Sequence, residues 1–218
     1  MKNELDKQLD RLNEVLIGMG ALCETAIAKA AKALLEEDAS LAEPIHKAEE
    51  QIDRQEKLVE SICMELLLRH HPVAGDLRQI CAALRMITDM ERIGDQAADI
   101  ADICRFAKLG GCADAVHIGA MARRTIQMVS DSVRAYVCRD EALVAAVEAA
   151  DDLVDDAFLR IKNSLVLMVG AHPEEAENAI DILMVAKYFE RIGDHAVNIA
   201  QWVRYGLTGR HTPENEVN

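Results

Sequence analysis

A chain of 218 residues, half of them apolar but only 3% aromatic, can bury a real core yet is poorly supplied for sheet layers built on aromatic side chains. Its 38 acidic residues outnumber the 24 basic ones, and the resulting formal charge of −14 argues against nucleic-acid binding. The six cysteines include no CxxC pair, Met1 to Leu12 has no apolar signal core, and no run of about eighteen apolar residues exists, so a zinc ribbon, a signal peptide and membrane insertion are not expected.

The pattern predicts an all-α chain. A first helix is expected from about Asn3 to Glu37, where Leu9, Leu12, Leu16, Met19 and Cys23 recur at three- and four-residue steps. A second runs from about Leu41 to His70, with Ile52, Val59, Ile62 and Leu66 along its apolar side. A third starts at Pro72, since proline loses no amide hydrogen bond in a first turn, and runs to about Lys108. Gly110-Gly111 suits a break. Three more helices follow, from about Ala113 to Cys138, Glu141 to Val169 and Pro173 to Tyr205. The expected organisation is a bundle over residues 1–109, a second over 113–206 and a frayed tail over 207–218.

The two halves are copies. Glu91-Arg92-Ile93-Gly94-Asp95 returns unchanged as Glu190-Arg191-Ile192-Gly193-Asp194, and Ala97, Ile100 and Ala101 match Ala196, Ile199 and Ala200. Upstream, Met19, Asp38, Leu41 and Asp53 answer to Met121, Asp140, Leu143 and Asp155 at one constant offset. Short connections make neighbouring helices antiparallel, so each half reads as a three-helix bundle and the whole as six helices.

That geometry brings acidic side chains level. Glu49 and Asp53 share a face of the second helix; Glu91, Asp95 and Asp99 share one of the third. Asp53 lies about 26 Å before the turn at Pro72 and Glu91 about 28 Å after it, at 1.5 Å per residue. Asp53 is therefore expected beside Glu91, and Glu49 beside Asp95. The second half repeats this with Asp151 and Asp155 against Glu190 and Asp194, one charge poorer because Asn198 stands in for Asp99. So many like charges call for neutralisation. Hard oxygen donors favour iron, manganese, magnesium or calcium, and zinc is compatible. The bland alternative is a solvated face paired with Arg92, Arg191, Arg54 and Lys57. Gly94 and Gly193, at matched places inside helices, imply close approach of a neighbouring helix or of a ligand. His195 would point away from Asp194, as a packing residue or a peripheral ligand.

The duplicated Glu-Arg-Ile-Gly-Asp, each copy in a proline-started helix and each preceded by an acidic pair, resembles the PhoU family of phosphate-uptake regulators. His71-Pro72-Val73-Ala74-Gly75-Asp76-Leu77-Arg78-Gln79-Ile80 is similar to that family's loop and helix start. The second half departs from the pattern at Asn198 and at Glu174 to Asp181, which has no Gly-Asp-Leu-Arg. The resemblance implies a six-helix cytoplasmic protein, without enzymatic activity, that links the ATPase of a phosphate ABC transporter to a sensor histidine kinase as a negative regulator. It also implies a homodimer and metal ions, including multinuclear iron or zinc clusters. Carried over, Glu49, Asp53, Glu91, Asp95 and Asp99 would be ligands of one cluster, and Asp151, Asp155, Glu190 and Asp194 of the other.

Two other functions compete. A ferritin-like oxidase or storage bundle would need Glu-x-x-His pairs, which are missing. A plain helical scaffold would leave the carboxylates in water. No Gly-rich phosphate loop is present, so nucleotide binding is not expected, and there is no basic cradle for free phosphate, so direct sensing of the anion is not expected either.

Overall fold

A computed structural model of the protein describes residues 4–107 and 117–210. Six α-helices account for nearly all of them: α1 (Glu4–Glu36), α2 (Ala42–His70), α3 (Ala74–Phe106), α4 (Ile118–Cys138), α5 (Glu141–Ala171) and α6 (Ala176–Thr208). Among the described residues there is no strand, and no helix is long and apolar enough to cross a membrane. The apolar stripes read from the sequence face inward: Leu12, Leu16, Met19 and Cys23 of α1 and Ile52, Val59, Ile62 and Leu66 of α2 are buried. Each leucine or isoleucine so buried contributes about 1.5–3 kcal/mol relative to exposure.

Local chemistry sets the helix ends. Glu37 and its counterpart Arg139 both turn left-handed, at φ 52° and 55°, and stop α1 and α4. An aspartate comes next in each copy. Asp38 accepts a hydrogen bond from the Ser40 amide at 3.0 Å, and Asp140 from the Ala142 amide at 2.9 Å. Asp38 thereby caps a short 3₁₀ turn, Ala39–Leu41, that runs into α2, and its match Asp140 caps α5 directly. Proline does not open α3, which begins at Ala74 after Val73 has taken an extended conformation. Pro173 opens a 3₁₀ turn, Pro173–Glu175, ahead of α6. α6 runs on to Thr208 and ends at a left-handed Gly209, so the predicted tail begins later than residue 207. The glycine break at Gly110-Gly111 and the rest of the tail lie outside the described residues.

Within each unit the helices pack as predicted, α1 with α2 and α3, and α4 with α5 and α6. The units are also joined: α3 lies along α6 in the most extensive helix pair, and α1 packs on α4. One continuous apolar core runs through both units. α2 and α5 thus flank a central group formed by α1, α3, α4 and α6.

In the second unit Val166, Leu167 and Ile180 are 65%, 76% and 62% exposed.

Candidate metal centre

The first acidic face forms because α2 and α3 are antiparallel and equally long on the turn side. Glu49 and Asp53 project from α2 toward α3. Burial raises the Glu49 carboxyl above its ordinary range, and the charges of Asp53 and, across the helix pair, Asp95 raise it further. Burial likewise raises Glu91, followed by Asp95; Arg92 opposes the shift, and Asp53 on α2 adds to it. The expected pairs, Glu49 with Asp95 and Asp53 with Glu91, are thus within electrostatic reach of each other. Asp99 stands apart, because the Tyr188 hydroxyl of α6 donates to it while burial and Asp95 raise it.

The sequence reading missed Glu56. It lies three residues past Asp53, on the same face of α2, and is raised by burial first and by Glu91 next. The spacing of 49, 53 and 56 is a helical stripe that identifies it.

At the second face Asp151 and Glu190 are half-buried, and Asp155 and Asp194 are exposed. Asp151 is pushed up to about 6 by burial first, then by Asp155, Asp194, Asp152 and Glu190. Asp155 and Asp194 are also raised, by burial and then by Glu190, with Lys187 opposing. The Oδ1 of Asp151 is buried without a hydrogen-bond partner. Glu190 pairs with Lys187, yet its buried Oε2 accepts no well-directed hydrogen bond.

The two glycines serve different neighbours. A Cβ on Gly94 would stand 3.0 Å from Ile52 Cδ1, so this glycine allows α2 to press against α3. A Cβ on Gly193 would stand 3.5 Å from Asp151 Oδ1 and 3.5 Å from Val154 Cγ1. Helix approach explains the first; the second also leaves room beside the unpartnered carboxylate oxygen.

Basic side chains neutralise these faces only in part. Exposed Arg92 lies 3.2 Å from Asp95 and 3.4 Å from Glu91. Arg54 pairs with Glu50 at 3.7 Å rather than with Asp53. His195 turns away from its own unit, its Nδ1 2.9 Å from Asp89 Oδ1 on α3. It is a bridge between the units.

Among the described residues, no three acidic, histidine or cysteine side chains stand close enough together to share one ion. The donor set nevertheless fits a hard cation. Asp151 Oδ1 is a buried acceptor with no donor, ringed by four more carboxylates whose charges raise its affinity for a proton. The residues that would hold an ion are Asp151, Asp155, Glu190 and Asp194 in one unit, and Glu49, Asp53, Glu91 and Asp95, with Asp99 and Glu56 alongside, in the other.

Comparison with known proteins matches this architecture. The PhoU domain model matches residues 16–104 and again residues 118–203. A phosphate-specific transport system accessory protein PhoU homolog from Clostridium acetobutylicum is 33% identical, over 97% of this chain and 97% of its own length. Another so named, from Aquifex aeolicus, is 34% identical over 86% of each. The crystal structure of PhoU from Pseudomonas aeruginosa superimposes with a TM-score of 0.86 at 28% identity, covering 94% of this chain and 100% of that one. With the domain found twice, one copy over each three-helix unit, this chain belongs to the PhoU family.

Proposed function

We propose that this chain is an accessory regulator of phosphate uptake that acts by binding and not by catalysis. In this reading it works in the cytoplasm as a negative regulator, and contacts both the ATPase of a phosphate ABC transporter and a sensor histidine kinase. The observation that carries the reading is the duplicated acidic face, built on the same motif in both units of a chain whose relatives are named as phosphate-specific transport accessory proteins. Affinity capture from membranes of phosphate-replete cells tests it. Recovery of the ATPase and the kinase is expected, and recovery of neither sinks it.

The same reading assigns iron, manganese, magnesium or zinc to the two faces. A bound ion would supply the positive charge that the crowded carboxylates lack. This chain's part is to hold those oxygens on two rigid antiparallel helices, and at the second face to exclude water from one of them. Elemental analysis of protein incubated with each metal checks this; less than one ion per chain for all of them refutes it. The exposed apolar residues Val166 and Ile180, which line one groove together, support the homodimer that belongs to this reading, since clustered apolar exposure marks association surfaces. A strictly monomeric mass by sedimentation, at all concentrations, contradicts it.

A further inference from the structure

The chain is strongly acidic, yet one groove on it is lined by two arginines and no carboxylate. It lies between the start of α4 and the second half of α5 and encloses about 520 Å³. That volume is within the usual range for small-ligand sites. Arg124 enters it from α4 and Arg160 from α5, with His117, Asn163 and Ser164 beside them and Ile161 as apolar floor. Arg124 is steadied by a hydrogen bond from Nη1 to the Leu153 carbonyl at 3.4 Å. Neither arginine forms an ion pair among the described residues, although 38 acidic side chains are available in the chain.

The internal duplication serves as a control. At the constant offset that relates the units, Arg124 stands where the first unit has Leu22, and Arg160 where it has Leu58. His117 and Ser164 replace Val15 and Ile62. The fold therefore does not require guanidinium groups here. The first unit builds the same helix pair with apolar residues, and the second unit has exchanged them for donors. Paired guanidinium forks, a hydroxyl and an amide together match a tetrahedral oxyanion, and the apolar floor suits a body attached to it.

We propose that this groove binds a small phosphoryl-bearing ligand, held by Arg124 and Arg160. The site is separate from the acidic faces and does not depend on their metals. The two sources of the phosphoryl group are the free anion and an organic monoester.

Amide NMR of the full chain, in metal-depleted buffer at constant ionic strength, separates them. Inorganic phosphate and phenyl phosphate are titrated in parallel, with chloride as the control. Saturable shifts confined to residues 117–124 and 157–167 are expected. Equal affinity for the two probes assigns the groove to the free anion, and a clear preference for phenyl phosphate assigns it to a monoester. Replacing Arg124→Gln and Arg160→Gln together is expected to weaken binding by ~10-fold or more, since two charge-assisted hydrogen bonds are lost. The exposed Arg160→Gln alone gives the same reading with least risk to folding. Absence of saturable shifts with both probes, or unchanged affinity in the variants, overturns the proposal.

Discussion

Asp89 of α3 accepts a hydrogen bond from Asn198 of α6 at 3.1 Å. Their counterparts in the duplication, Tyr188 of α6 and Asp99 of α3, bond to each other as well. The contact is reciprocal: position 89 in one unit meets position 198 in the other, and position 188 meets position 99. An approximate twofold axis between α3 and α6 produces this pairing, as in any interface between like surfaces. The chemistry of the two copies differs, a carboxylate with an amide and a histidine on one side and a phenol with a carboxylate on the other.

Tyr188→Phe removes a hydroxyl that donates to an exposed carboxylate and is expected to cost at most about 1 kcal/mol. Urea unfolding measures it. In a double-mutant cycle with Asp99→Asn, a coupling near zero would show that the two side chains do not act on each other.

Stability should depend on pH through Asp151. Its folded value, about 6, lies above the ordinary 3.8, so the folded state prefers the protonated form. That preference favours folding in full below about pH 4. It is lost as pH rises through about 6. In chelator-treated protein, urea midpoints should therefore fall between pH 4 and pH 7. Asp151→Asn should flatten the fall and stabilise the protein at pH 7 by about 1 kcal/mol, a figure reduced for solvent screening of a half-buried group. An equally steep profile in the variant would refute the assignment.

Metal should oppose the same repulsion. Manganese at about 100 times its dissociation constant should raise stability by about 2.7 kcal/mol, read as a shift in thermal midpoint. The double change Glu91→Ala and Asp95→Ala should abolish the share of binding due to the first face while leaving far-UV circular dichroism unchanged, because it relieves crowding in the metal-free state. Loss of helicity in that variant would contradict this account.

The two motif glycines should respond differently to alanine. Gly193→Ala meets only ordinary van der Waals contacts, so the helix-propensity gain of about 1 kcal/mol should appear as added stability. Gly94→Ala forces the buried Ile52 Cδ1 to move, and overpacking of about 1–3 kcal/mol should outweigh that gain. Adding Ile52→Val, which deletes the clashing methyl, should recover much of the loss. Equal effects at the two glycines would contradict the packing difference.

The helices, the duplication and the level pairing of Asp53 with Glu91 were legible because they depend on periods along the chain: 3.6 residues per turn, and a fixed rise on each side of a short loop. Glu56 escaped notice for a related reason. Its counterpart in the second unit is Phe158, so a search by matched copies passes over it. His195 and Asp89 are 106 residues apart, and only the packing of α6 on α3 joins them. Arg124 and Arg160 are hidden in the same way: no basic run marks them, and the groove exists only once α4 lies on α5. The helix starts near Pro72 and Pro173 were read a few residues early, because proline there precedes the helix or opens a 3₁₀ turn instead of beginning α3 or α6.

The long contact between α3 and α6 also fixes what a fragment of this protein would do. A polypeptide ending after Phe106 would carry the whole of α3 with α6 removed, baring Ala82, which lies against Gly206, and Asp89, which bonds to His195 and Asn198. The natural remedy for such a surface is another like itself. Half of this molecule is therefore expected to pair with its own copy through α3, whereas joining two copies in one chain lets them differ: the second carries both the bridging His195 and the arginine-lined groove.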